Sequence, residues 1–148
     1  MAGDPPFLVA LPRGTSVAVM GGLLALFVLR VLGQVLAATV APRWLPPMAR
    51  WYSGLMPYRY LLPTQVLFIA VMTTIIAQVA SRSEPLGTGS RAAAAWIVWA
   101  SYVYALAMVV RAVRYALATP ERRGLLIPIV FHFVLAGFLF VWGSALTP

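Results

Sequence analysis

Four long apolar stretches divide this chain, and short segments rich in proline, glycine or arginine separate them. The hydrophobic pattern places the stretches at about residues 16–41, 61–80, 91–118 and 121–146. A helix of ~20 apolar residues spans a hydrocarbon core of ~30 Å, so each stretch predicts a membrane-crossing helix. Thr15 or Ser16 is a candidate cap for the first, and Pro42 ends it. Pro63 falls where the first turn of the second is expected, a position that tolerates proline. Residues 81–85 stop that helix, and Ser90 is a candidate cap for the third. Thr119, Pro120 and Glu121 form a start signature for the fourth, which Pro128 is expected to bend. The connections are short. The prediction is an all-α fold: a polytopic integral membrane protein with a single four-helix transmembrane domain over 15–148, after an irregular tail, 1–14.

Composition supports this class. Of 148 residues 62% are hydrophobic and 9% charged, whereas soluble domains give about a quarter of their residues to charge. A cleaved signal peptide is the competing reading of the first apolar run. That run is too long for a typical leader core and carries Arg30 within it.

All eleven basic residues are Arg, against the acids Asp4, Glu84 and Glu121, for a net charge of +8. In a water-soluble chain that excess would point to nucleic acid; here the arginines sit in short loops, where they set orientation. The first and third loops hold Arg43, Arg50, Arg59, Arg111, Arg114, Arg122 and Arg123, against Arg13, Arg82 and Arg91 at the other end. This bias predicts both termini on the non-cytoplasmic side of a bacterial cytoplasmic membrane. The segment between the first two helices mixes Trp44, Arg50, Trp51, Tyr52, Tyr58, Arg59 and Tyr60. Amphipathic aromatics and arginines belong at headgroup level, so these residues, with Arg111 and Arg114, are expected to anchor the interface. A short helical turn is expected around residues 48–55.

No Cys is present, and His132 is the single histidine. Thiolate chemistry, Cys-based metal sites and haem held by two histidines of one chain are excluded. No acid lies within the apolar interior of a span, Glu121 standing at the very start of the fourth, and no metalloprotease, nucleophile-elbow or phosphate-loop motif occurs. Neither catalysis nor a metal site is expected.

What remains is a set of polar residues inside the spans. Arg30 lies near the middle of the first, where a cation costs at least ~2.5–3.5 kcal/mol. At 100° per residue Gln34, Ala37 and Ala41 share its face, with Gly33 at the edge. Small residues let helices approach in lipid, so Arg30 is expected to face the bundle or a partner. Tyr104 and Ser101 fall near its depth on the third helix and His132 on the fourth, with Gln65 shallower on the second. Ala93, Ala100 and Ala107 form an expected close-packing seam; Ala136 and Gly143 share a face with His132, opposite Val130, Val134 and Val141. Each polar residue also has a plain reading. His132 fits a hydrogen-bonded interior histidine, Tyr104 fits packing, and Thr73 and Thr74 can bond back to their own helix.

These features predict a non-catalytic accessory or structural subunit of a larger membrane complex or homo-oligomer. It would pack through small-residue faces, with Arg30 meeting an anionic group of a partner, cofactor or lipid. The alternative is binding of a quinone, haem or pigment by a cluster of Arg30, Gln34, Tyr104 and His132, with Ser101 and Gln65 nearby. The sequence specifies no cofactor.

Overall fold

A computed structural model describes residues 11–47, 51, 57–81, 88–117 and 126–146. Its long elements are four helices: α1 (Arg13–Thr39), α2 (Tyr58–Ser81), α3 (Thr88–Ala116) and α4 (Leu126–Ala145). All four are long and apolar enough to cross a membrane. An oily solvent cannot satisfy backbone N–H and C=O groups, and a helix satisfies them internally.

The helix ends differ from expectation in informative ways. α1 starts on Pro12 rather than at Thr15 or Ser16, so Arg13 and Gly14 belong to the helix. The amide and hydroxyl of Ser16 both donate to the Pro12 carbonyl, at 2.9 and 3.2 Å, which places Ser16 inside the first turn. At the other end Val40 and Ala41 both donate to the Leu36 carbonyl, and Ala41 takes φ 47°. Pro42 disfavours a helical residue before it, and a left-handed residue closes the last turn instead. Ala41 therefore leaves the Arg30 face. α2 begins at Tyr58, ahead of the expected 61, which moves Pro63 into the second turn. Proline has no N–H to give the Arg59 carbonyl, while the neighbouring Thr64 hydroxyl donates to Tyr60 at 2.7 Å. α3 begins at Thr88, so Ser90 is not its cap, and ends at Ala116. Pro128 is the third residue of α4 as described, within a first turn whose N–H groups have no intrahelical partner. The expected start at 121 and the Thr119–Glu121 signature lie outside the described residues.

Helix contacts run α2–α1–α4–α3, with α1 and α4 central and α2 and α3 at the flanks. The tightest approach is between α3 and α4. A Cβ on Gly143 would lie 2.6 Å from Val98 Cγ2, 3.1 Å from the Val98 backbone nitrogen and 3.2 Å from the Ala94 carbonyl oxygen. Ala94, Val98 and Ser101 are buried there, while Ala93, Ala100 and Ala107 are exposed. The α3 seam is thus rotated by one residue, ~100°, from the alanine stripe. Val141 is buried as well, because α4 is packed on two sides.

The interior is divided along its length. Met20, Phe27 and Val31 of α1 pack with Met72 and Val79 of α2 and with Phe138 and Val141 of α4 in one apolar cluster. The antiparallel order puts this cluster toward the N-terminus of α1. Gln34, Gln65, Tyr104 and His132 lie nearer the opposite end, where Arg43, Arg59, Arg111 and Arg114 sit.

Candidate functional site

Arg30 stands nine residues before the end of α1, roughly 13 Å along the axis. It is 8% exposed and faces into its own bundle. One turn later Gln34 is fully buried, with its Oε1 accepting from Arg30 Nη1 at 3.3 Å. The same oxygen accepts from Gln65 Nε2 of α2 at 2.8 Å. Guanidinium only donates, which fixes the Gln34 oxygen toward Arg30 and in turn the Gln65 amide nitrogen toward Gln34. The remaining polar atoms are then determined. Arg30 Nε, Gln34 Nε2 and Gln65 Oε1 are buried with no hydrogen-bond partner among the described residues. Phe131 of α4 closes one face of the guanidinium, its ring centroid 5.3 Å from Arg30 Cζ, a cation–π distance.

A second pair involves His132, the residue after Phe131. The Tyr104 hydroxyl and His132 Nδ1 are 2.5 Å apart, joining α3 to α4, with the rings edge to face. Either group can be the donor, depending on the imidazole tautomer. The expected cluster is therefore two hydrogen-bonded units, with no hydrogen bond joining them among the described residues. Gln65, shallower than Arg30 as expected, is a direct partner of Gln34. Ser101 belongs to neither unit; its hydroxyl donates to the Val98 carbonyl at 2.7 Å within α3. Thr73 and Thr74 are exposed and bond back to Ile69 and Ala70 at 2.8 and 2.9 Å.

The expected anchors divide similarly. Trp44, Arg59, Tyr60 and Arg114 are exposed. Arg59 lies 4.8 Å over the Tyr60 ring, and Arg111 donates to the Tyr115 hydroxyl at 3.2 Å. Arg50, Tyr52 and the side chain of Tyr58 lie outside the described residues, as does the turn at 48–55 except for Trp51, which is helical. Trp51 is more than an anchor. Its indole N–H donates to the Pro46 carbonyl at 3.0 Å, and its ring edge lies 3.0 Å from where a Gly33 Cβ would stand. The loop thus folds back onto α1 one turn below Arg30. The sequence gives no signal for this contact, nor for Phe131, in a chain so rich in aromatics.

Buried donors beside a buried cation can bind oxygen acceptors, and the Tyr–His pair can give or accept a hydrogen bond. Among the described residues no group of three or more His, Cys, Asp or Glu side chains could hold a metal. No protein-family model matches the chain, and no curated protein or solved structure matches it either.

Proposed function

We propose that this chain is a non-catalytic component of a membrane assembly whose interior binds an oxygen-bearing group at Arg30, Gln34 and Gln65. The observation that supports this reading is a buried guanidinium with an unpartnered Nε, beside two buried amides that each have an unpartnered atom. An unpaired charge out of water costs several kcal/mol even after relaxation. All three acids of the chain, Asp4, Glu84 and Glu121, fall outside the described residues, so none of the helices brings a carboxylate to Arg30. Because Arg30 points into its own bundle, the compensating group comes between the helices, as part of a lipid or cofactor, rather than on a flat partner surface. Gentle solubilisation followed by native mass spectrometry tests the reading. The expected result is a small molecule retained by the wild type and lost from Arg30→Gln; equal retention by both would overturn it.

A second reading, binding of a quinone or tetrapyrrole, draws support from the Tyr104–His132 pair. A partner on Nδ1 fixes the imidazole and leaves Nε2 for another group, as metal-ligating histidines require. An absorption spectrum of the isolated chain separates the two.

A further inference from the structure

We infer that the group held at Arg30, Gln34 and Gln65 is the carboxylate of a single-chain lipid acid, lodged in the bundle from the membrane side. This deepens the proposed function and rests on it.

The unpartnered atoms define the chemistry. Two are donors, Arg30 Nε–H and Gln34 Nε2–H, and one is an acceptor, Gln65 Oε1. A neutral ligand bearing a hydroxyl and a carbonyl could engage all three, yet would leave the charge of Arg30 uncompensated. An anion leaves the Gln65 oxygen unpaired and neutralises the guanidinium. A buried unpaired charge costs more than an unsatisfied carbonyl, so compensation of charge decides the class. The remaining geometry agrees. Gln34 occupies Nη1 and Phe131 covers one face of the guanidinium. The Nε edge is left, and it meets the two oxygens of a carboxylate side by side.

Depth and surroundings narrow the ligand further. A site roughly 13 Å below the end of α1, on a helix whose Phe27 and Val31 belong to the apolar cluster, favours a ligand that partitions into the membrane over a water-soluble anion. A two-chain phospholipid keeps its phosphate at headgroup level. A single hydrocarbon chain with one terminal negative charge matches one Arg, and its tail can remain among the surrounding acyl chains. The flanking helices α2 and α3 make no extensive contact with each other, which leaves a lateral route for such a chain.

The test uses the purified, delipidated full chain and three probes: oleate, oleyl alcohol and decyl-ubiquinone. Oleate is expected to bind at about one per chain, at least tenfold more tightly than oleyl alcohol, which has the same tail without the charge. Arg30→Gln and Gln34→Leu are expected to remove that preference. The comparison of acid and alcohol needs no variant, so it decides the matter even if a substitution impairs folding. Equal binding of the two probes, or an unchanged preference in Arg30→Gln, would overturn the assignment. Arg30-dependent binding of decyl-ubiquinone in place of oleate would overturn the carboxylate while leaving the interior site standing. If no probe's binding depends on Arg30, both readings fall.

Discussion

Gln34 accepts two hydrogen bonds on one oxygen, from Arg30 within α1 and from Gln65 across to α2, and so couples a buried charge to a helix contact. The two glutamines are consequently not equivalent. Gln34→Leu leaves a guanidinium and an amide without their acceptor, whereas Gln65→Leu deletes one bond together with an already unpaired oxygen. Gln34→Leu is expected to cost ~2–4 kcal/mol and Gln65→Leu under ~1 kcal/mol, in line with interhelical hydrogen bonds in membranes. Denaturation in mixed micelles measures both; equal costs would show that the shared oxygen is unimportant.

In delipidated protein the charge of Arg30 is a liability. Arg30→Met is expected to raise the stability of the ligand-free bundle by about 1–3 kcal/mol, as apolar replacement of buried ions often does. The same variant should gain nothing from added lipid acid, whereas the wild type should be stabilised. Thermal melting with and without oleate reads the crossover.

The α3–α4 crossing makes a steric prediction. A methyl group at position 143 would meet backbone atoms of α3 at 3.1 and 3.2 Å as well as the Val98 side chain. Rotation of a side chain cannot relieve this, so the helices must separate. Gly143→Ala is expected to cost ~1–3 kcal/mol. Ala100→Val, on the exposed face of α3, should be nearly neutral.

Much of this architecture was legible in the sequence because lipid imposes strong constraints. The four spans follow from length and composition, and helical angle puts Gln34 on the face of Arg30, while the choice between bundle and partner was left open. The helix ends were less legible, since Pro12 and the left-handed Ala41 act through backbone geometry that no side-chain pattern announces. The α3 seam was misplaced because alanine is compatible with both lipid and a neighbouring helix, so Ala93, Ala100 and Ala107 do not mark an interface. Their neighbours Ala94, Val98 and Ser101 meet α4. Depth matched Tyr104 with His132, but depth alone could not show that Arg30 and Gln34 bond with Gln65 and not with that pair.

The indole of Trp51 gives a further test. Packed against Gly33, it should be quenched by brominated acyl chains more than by aqueous acrylamide, and exposed Trp44 should show the opposite order. Proteins retaining one tryptophan at a time report this directly. Gly33→Ala would crowd the ring by a few tenths of an ångström, and a red shift in Trp51 emission is expected.

Tyr104→Phe removes the partner of His132 Nδ1. The loss of one neutral hydrogen bond should cost ~1 kcal/mol, and the imidazole tautomer, read from its nitrogen chemical shifts, should change. An unchanged spectrum would mean that the pair is not formed in the membrane.

Beyond Arg30 the interior is methionine, phenylalanine and valine, with Met20, Phe27, Met72 and Phe138 meeting across α1, α2 and α4. That cluster contains no ionisable side chain, so nothing in it could relay a proton onward from the arginine-bearing side.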